Sequence, residues 1–221
     1  MKQLRQFFQD KTVSTLLDVG TGSGSFISVL KETFTNTHFT GIDPDTPSLT
    51  EAAKIHPDVK FRNMTGGQLD FPDSSFDAAS ISMAMHHLPD VQQTFSEMKR
   101  VVKSGGWIIV NELFSDNLNP AQEVHKSMHH FRSTVDRLTD ICHNETFTRA
   151  EILEQVNKAG LGICTAFNQE KERVEPTPEE IYERKEKLTE MLNQVKEKPE
   201  YHALKKQIPK IEKALKQHGF Q

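Results

Sequence analysis

The sequence predicts an α/β fold of the doubly wound type, in which helices cover both faces of a parallel sheet. Between residues 13 and 168, short apolar runs alternate with amphipathic segments, as strands alternate with crossover helices. The first apolar run, residues 15–19, leads into a glycine-rich turn at residues 20–24 that opens a helix, and the second, residues 38–42, ends in Asp43. A ligand site is expected where these strands end, at the carboxyl edge of the sheet.

The remaining elements follow the same alternation. Short apolar runs predict further strands, and apolar residues at helical spacing between them predict crossover helices. A threonine three residues before a glutamate marks one helix start, Thr148 with Glu151. The expected strands lie at residues 59–63, 78–82, 107–110 and 162–167, and the expected helices at residues 91–102 and from residue 148 onward.

Chain length and net charge limit the number of domains and the classes of partner. The chain has 221 residues and a net charge of −4, which fits one α/β domain with appendages. A protein of net negative charge provides no basic field for binding nucleic acid, so we expect no nucleic-acid partner. The mean hydropathy of −0.58 indicates that part of the chain is a solvated extension.

The expected location is the cytoplasm. The N-terminus lacks an apolar signal core, and no run approaches the length that spans a membrane, so no membrane partner is predicted. Cys142 and Cys164 are too few for a disulfide framework. We interpret them as buried thiols in a reducing compartment.

The spacing of the glycines bears on the ligand. A dinucleotide fingerprint requires G-x-G-x-x-G, whereas the turn here reads G-x-G-x-G, with Ser25 in place of the third dinucleotide glycine. Asp18 lies two residues before the first glycine. A carboxylate at that position would repel a phosphate but suits an ammonium group. An NAD(P)-dependent oxidoreductase shares the fold and is kept as an alternative.

These residues resemble the class I S-adenosylmethionine-dependent methyltransferases, in particular the type 11 small-molecule family. The resemblance rests on the glycine turn, on Asp43 with Pro44, and on the segment at residues 71–88. It implies a Rossmann-like sheet of order 3-2-1-4-5 with a sixth strand beyond, and S-adenosylmethionine as the cofactor. It also implies in-line transfer of a methyl group to an O, N or S atom of a small-molecule acceptor. A protein that binds the cofactor without transferring its methyl group is a second alternative.

The resemblance also assigns roles to residues. Asp43 is expected to hold the ribose hydroxyls, Asp18 to lie near the methionine end, and the turn amides to face the methionine carboxylate. Thr65 stands where the family commonly has the aspartate that binds adenine, so Gln68 is a candidate substitute. The full expected cofactor set is Asp18, Gly20, Thr21, Gly22, Ser23, Gly24, Asp43, Pro44, Thr65, Gly66, Gln68, Ser82, Met83 and His87.

A histidine pair, His86 and His87, follows the predicted fourth strand. One interpretation makes the pair a hydrogen-bonded scaffold or a packing surface for the cofactor. The other makes one histidine a general base toward the acceptor, because imidazole titrates near neutral pH. If one of the two acts as a base, His87 is favoured.

Residues 114–147 are too long for a simple connection, and the family places substrate-recognition helices at this point. Because the segment before residue 15 is short, we expect this helical insertion to be the substrate cap. His125 and His129 lie four apart on one helical face, and with Glu112 and His143 they could chelate a metal. We favour acceptor-lining or proton-accepting roles, so the expected catalytic residues are His87, His125 and His129, and no metal site is predicted.

The predicted boundaries are a cofactor-binding domain at residues 1–169 and a charged helical extension at residues 170–221. Two apolar stripes in the extension could pack on the chain's own core or form a homodimer arm, and the first is favoured. Family members usually end with a seventh, antiparallel strand, which would begin near Gly219. Either the chain is truncated or the sheet has six strands.

Overall fold

The computed structural model describes residues 2–169 and 171–221. Met1 and Glu170, the first residues of the predicted domain and of the predicted extension, lie outside the described residues. The chain divides into two compact units. The first comprises residues 1–112 and 152–167, and the second comprises residues 113–151 and 168–221. The predicted insertion and the C-terminal extension therefore fall together in the second unit.

The first unit contains the predicted alternation of strands and helices. Its elements are α1 (Lys2–Phe8), β1 (Thr15–Val19), α2 (Ser25–Thr33), β2 (His38–Asp43), α3 (Thr46–Ile55), β3 (Lys60–Asn63), β4 (Phe76–Ser82), a 3₁₀ turn (Met85–His87), α4 (Val91–Val101), β5 (Val102–Asn111) and most of α6 (Arg149–Lys158).

The strands form a parallel sheet of order β3-β2-β1-β4-β5, which confirms the predicted order. β1 lies between β2 and β4, so Leu17 pairs with Thr40 on one side and with Ala79 on the other. Leu16 and Leu17 are fully buried, as expected for a strand covered by helices on both faces. The carboxyl ends of the five strands lie at one edge of the sheet. The glycine turn follows β1 at this edge, and Asp43 is the last residue of β2.

Local sequence signals determine where several helices begin. Asp45 caps α3, where its side chain accepts a hydrogen bond from the Ser48 amide at 3.0 Å. The predicted capping box at Thr148 is confirmed, with the Thr148 amide 2.7 Å from Glu151 Oε2 and the Glu151 amide 3.2 Å from Thr148 Oγ1.

The second unit is helical. Its elements are α5 (Pro120–Leu138), α7 (Pro178–Asn193), α8 (Tyr201–Lys205) and α9 (Ile208–His218). Phe131 and Val135 of α5 pack against apolar residues of the extension in one buried cluster. The extension side of that cluster comprises Leu188, Leu192, Val195, Leu204, Ile208 and Ile211. The apolar stripes of the extension therefore pack on this chain's own core, as favoured.

The predicted sixth strand is wrong. Residues 162–167 join no strand of the sheet, which ends at β5 within the described residues. Ile163 and Phe167 are 43% and 38% exposed, so the apolar alternation that suggested a strand has no second layer to cover it. A strand needs a partner for its ladder of hydrogen bonds, and the local sequence does not specify one.

The prediction that the cysteines are buried is also wrong. Cys142 and Cys164 are both free and exposed. Cys142 follows the end of α5, and Cys164 lies in the unpaired segment at residues 162–167, so neither belongs to an element that builds a core. Among the described residues, no helix combines the length and the apolar character needed to cross a membrane.

Candidate active site

The glycine turn lies at the carboxyl end of β1. Gly20 and Gly22 adopt φ of +69° and +52°, a left-handed conformation that side-chain-bearing residues rarely adopt. A Cβ on Gly20 would lie 2.7 Å from Ala84 Cβ, whereas a Cβ on Gly22 would meet no atom within 4 Å. The backbone at Gly20 is therefore packed against the protein, while the backbone at Gly22 faces open space where a ligand can approach.

Asp43 connects the turn to the end of β2. Its Oδ2 accepts a hydrogen bond from the Gly22 amide at 2.9 Å, and its Oδ1 accepts one from the Asp45 amide at 2.8 Å. Each carboxylate oxygen retains capacity for another donor. The side chain is thus oriented by two main-chain groups and can accept a pair of hydroxyls. Pro44 follows it, and the Pro44 carbonyl accepts from Asn63 Nδ2 at 2.8 Å.

Asp18 is a buried carboxyl group at the end of β1, 1% exposed. Burial raises the pKa of Asp18 to about 6, against the opposing effects of Ser80 and Thr21, and the nearby Asp43 charge raises it further. Ser80 Oγ donates to Asp18 Oδ1 at 2.6 Å. Neither Asp18 Oδ2 nor the buried Thr21 hydroxyl has a hydrogen-bond partner in the part of the chain that the structure describes.

These observations test whether S-adenosylmethionine fits the residues present. Asp18 and Asp43 place two carboxyl groups near each other beside an amide-rich turn, an arrangement that disfavours a pyrophosphate and favours a ligand with hydroxyl and ammonium groups. The buried Asp18 Oδ2 and Thr21 hydroxyl require polar partners that the described residues do not supply. The residues therefore fit the implied cofactor better than a dinucleotide.

The expected adenine side is formed by the segment after β3. Thr65 and Gln68 are exposed, and a Cβ on Gly66 would lie 2.9 Å from Thr94 and from Val19, so the backbone at residue 66 packs closely on the domain. Further along, Arg100 donates to the main-chain carbonyls of Leu69 and Phe71 at 2.7 and 2.8 Å. This side chain fixes the course of the segment.

Ser82 and Met83 follow β4. Asn111 Nδ2 donates to Ser82 Oγ at 2.8 Å, and the Met83 amide donates to the Asn111 carbonyl at 2.8 Å. Met83 adopts φ of +53°, a strained conformation for a residue with a side chain. The sharp exit from β4 turns the chain into the 3₁₀ turn that carries the histidine pair.

Glu112 orients the 3₁₀ turn. Its Oε2 accepts from the Met85 amide at 2.8 Å, and His86 Nδ1 donates to its Oε1 at 2.9 Å. The side chains of His86 and Glu112 are 3% and 1% exposed. His86 therefore has the scaffold role, whereas His87 is exposed, with its ring centroid 4.3 Å from that of His86. The position of Glu112 at the end of the fifth strand predicted that it faces the same site as the histidine pair, but not this contact, which joins residues 26 positions apart.

In the second unit, His125 and His129 make different contacts. His125 Nδ1 donates to the Gln221 carbonyl at 2.9 Å, and its ring lies 4.7 Å from the ring of Phe220. Burial lowers the pKa of His125, although the Gln221 carbonyl opposes this. His129 Nε2 instead lies 3.2 Å from His143 Nε2. His130 Nε2 contacts the Thr146 hydroxyl at 2.9 Å, and burial lowers the pKa of His130.

The known proteins to which this chain is similar are methyltransferases. Residues 17–110 match the family described as Methyltransferase domain. The chain is 27% identical over 158 residues to phosphatidylethanolamine N-methyltransferase from Cereibacter sphaeroides, covering 68% of this chain and 76% of that protein. It is 32% identical over 126 residues to the ubiquinone/menaquinone biosynthesis C-methyltransferase UbiE from Geobacter sp. strain M21. That match covers 52% of this chain and 51% of UbiE, so the chain spans about half the length of this relative.

Solved structures support the same fold. The YcgJ protein from Bacillus subtilis superposes with a TM-score of 0.57 at 20% identity, covering 87% of this chain and 82% of YcgJ. A SAM-dependent methyltransferase from Aquifex aeolicus superposes with a TM-score of 0.52 at 19% identity, covering 72% of this chain and 78% of that one. Residues 17–110 thus match a methyltransferase domain, and the fold is that of the class I S-adenosylmethionine-dependent methyltransferases, which implies S-adenosylmethionine as the cofactor.

Proposed function

We propose that this protein transfers a methyl group to an O, N or S atom of a small-molecule acceptor. The observation that carries the proposal is the pair of carboxyl groups beside the glycine turn, with Asp43 bonded to the Gly22 amide and Asp18 buried with one unpartnered oxygen among the described residues. The net charge of −4 favours a small acceptor over nucleic acid. The two relatives are named for a phospholipid and for quinones.

The residues of the first unit have distinct roles in this proposal. Asp43 accepts the two ribose hydroxyls, Asp18 accepts the ammonium group, and the amides of the glycine turn face the methionine carboxylate. Gly66, Thr65 and Gln68 lie on the adenine side. The remaining members of the proposed cofactor set are Gly20, Thr21, Gly22, Ser23, Gly24, Pro44, Ser82, Met83 and His87.

When bound, the cofactor supplies a methyl group that is already activated, so the chain must align the acceptor and exclude water. We assign acceptor recognition to the helical insertion at residues 114–147, with His125 and His129 among its acceptor-facing side chains. We also assign the protein to the cytoplasm, because two exposed free cysteines suit a reducing compartment. Subcellular fractionation would contradict that location if the protein were recovered outside the cytoplasm.

His87 is the proposed general base. His86 is held by Glu112, and the adjoining His87 is exposed on the same turn, where an acceptor can reach it. Replacement His87→Gln should lower kcat by about 100-fold or more and remove the acidic limb of its pH profile, since general-base catalysis contributes about 10²–10⁴-fold. A fall in cofactor affinity with kcat and its pH profile unchanged would instead assign His87 to packing.

The cofactor and the acceptor class can be tested in one series. Calorimetric titration with S-adenosylmethionine and with its demethylated product should show binding by the wild type and loss of binding in Asp43→Ala. Asp45→Ala is the matched control. It removes the cap of α3, at a cost of about 1 kcal/mol, but leaves the Asp43 carboxylate in place, so cofactor binding should persist.

The acceptor is then sought with cofactor labelled in its methyl group. The wild type is incubated with a cell extract, and the label is counted separately in the small-molecule, protein and RNA fractions. We expect label in the small-molecule fraction with the wild type and none with Asp43→Ala. Label confined to the protein or RNA fraction would contradict the acceptor class. Cofactor binding without label in any fraction would favour a binding protein that transfers no methyl group.

A further inference from the structure

A histidine pair in the second unit lies outside the proposed cofactor set. His129 lies on α5, and His143 follows α5 in the connection that leads toward α6. The two Nε2 atoms are 3.2 Å apart, and the ring centroids are 4.8 Å apart with the ring planes at 85°. We propose that His129 and His143 bind a divalent transition-metal ion of the zinc type through these Nε2 atoms.

The separation of the two nitrogens supports this assignment. Zinc binds imidazole nitrogen at about 2.0–2.1 Å in tetrahedral geometry, which places two such ligands about 3.3–3.4 Å apart. The observed 3.2 Å is close to that value.

Asp136 supplies the outer contact that metal-binding histidines usually make. His143 Nδ1 donates to Asp136 Oδ2 at 2.6 Å, and the two side chains are 1% and 16% exposed. This bond places the His143 proton on Nδ1 and leaves Nε2 as the lone-pair atom, the tautomer that binds a metal. A carboxylate on the far nitrogen also increases the basicity of the ligating nitrogen.

The donor atoms indicate the class of metal. Neutral imidazole suits Zn²⁺, Co²⁺, Ni²⁺ and Cu²⁺, whereas Mg²⁺ and Ca²⁺ require oxygen ligands. Two imidazoles do not complete a tetrahedral shell, so the remaining positions belong to ligands outside this pair. Such an open site can also act as a Lewis acid toward a bound molecule. The metal site does not depend on the proposed methyl transfer.

His125 and His129, four residues apart on one helical face, suggested a possible metal-binding pair, to which Glu112 and His143 could add ligands. The structure pairs His129 with His143 instead, and His125 contacts the Gln221 carbonyl. The competing explanation for the 3.2 Å separation is a proton shared between the two nitrogens. That arrangement needs no metal, and metal titration separates the two explanations.

The test uses the full chain, stripped of metal with a chelator and titrated calorimetrically with Zn²⁺. We expect one equivalent to bind to the wild type, with affinity reduced at least about tenfold in His129→Ala and in His143→Ala. Asp136→Asn retains both ligands but should weaken binding about 10–100-fold, the usual effect of losing an outer carboxylate. His202→Ala is the matched control, since it removes an exposed histidine of the same unit and should leave binding unchanged.

Absence of Zn²⁺ binding by the wild type would overturn the proposal, as would equal binding by the wild type and a His129→Ala/His143→Ala double variant. Circular dichroism of each variant establishes that it is folded. If His143→Ala does not fold, Asp136→Asn and His129→Ala still decide the question. Visible absorption of the Co²⁺-loaded wild type provides a second measurement that requires no enzymatic turnover. Failure of the methyl-transfer assay would therefore leave this result intact.

Discussion

Asp18 shows how one residue can couple stability to ligand binding. Its carboxyl group is buried, bonded to Ser80 through one oxygen, and lacks a partner for the other among the described residues. Ionising such a group without a partner is unfavourable, and this is why the pKa of Asp18 rises to about 6. At neutral pH the cofactor-free fold therefore carries a buried negative charge that a bound ammonium group would neutralise.

This gives a pH-dependent prediction for Asp18→Asn. Because the pKa of Asp18 is higher in the fold than the ordinary value of 3.8, its contribution to stability is fully present below about pH 3.8. That contribution is lost as the pH rises through about 6. A rise of this size corresponds to about 3 kcal/mol. In urea denaturation without cofactor, the advantage of Asp18→Asn over the wild type should be small at pH 4 and approach about 3 kcal/mol at pH 7. Its affinity for the cofactor should fall.

The exposed Asp10→Asn in the same unit is the control for Asp18→Asn and should show no growing advantage over this pH range. An advantage for Asp18→Asn that does not vary between pH 4 and pH 7 would show that the Asp18 carboxyl is not destabilised in the fold.

The glycine turn is the element that brings backbone to the proposed ligand. Replacement Gly22→Ala places a methyl group in open space, beside the amide that donates a hydrogen bond to Asp43. The positive φ should cost about 1–2 kcal/mol of stability, and the methyl group should reduce cofactor affinity at least about tenfold. Calorimetric titration measures the affinity, and thermal unfolding measures the stability.

Gly105→Ala is the control for Gly22→Ala, because it introduces similar backbone strain at a position away from the proposed cofactor site. Gly105 has φ of +77°, and its added Cβ would also meet no atom within 4 Å, but it lies toward the amino end of β5, away from the carboxyl edge. It should lose similar stability and retain full cofactor affinity. Equal loss of affinity in both variants would place the effect in the fold rather than at the site.

At the scale of the whole molecule, each unit has its own buried cluster. Leu16, Ile27 and Leu30 belong to the cluster of the first unit, and Phe131 with the extension helices forms the cluster of the second. The proposed cofactor residues all belong to the first unit. Binding of the cofactor should therefore depend mainly on the integrity of the first cluster.

Two matched truncations test this division. Phe131 and Phe95 are both fully buried. Each Phe→Ala change should lower the free energy of unfolding of its own unit by about 3–5 kcal/mol. Phe131→Ala should accelerate amide hydrogen exchange in α5, α7 and α9 while cofactor affinity is retained. Phe95→Ala, on α4, should accelerate exchange in the first unit. Equal loss of protection in both units with either variant would show that the two units open together.

The sequence determined the features that depend on neighbours along the chain. Alternating apolar runs predicted the five paired strands, the family resemblance that includes the glycine turn predicted the cofactor class, and the capping residue Thr148 predicted a helix start. These signals are local because backbone conformation and helix capping involve residues within a few positions. The pattern of strands and crossovers then left few possible sheet orders.

Only the tertiary structure decided which distant groups meet. The apolar residues at 162–167 have strand-like spacing but no neighbouring strand, and nothing in the local sequence reports that lack. The contacts of Glu112 with His86, of Ser80 with Asp18, and of His143 with His129 join residues between 14 and 62 positions apart. Such pairings depend on how elements pack, because a side chain's partner is determined by its position in space rather than in the sequence.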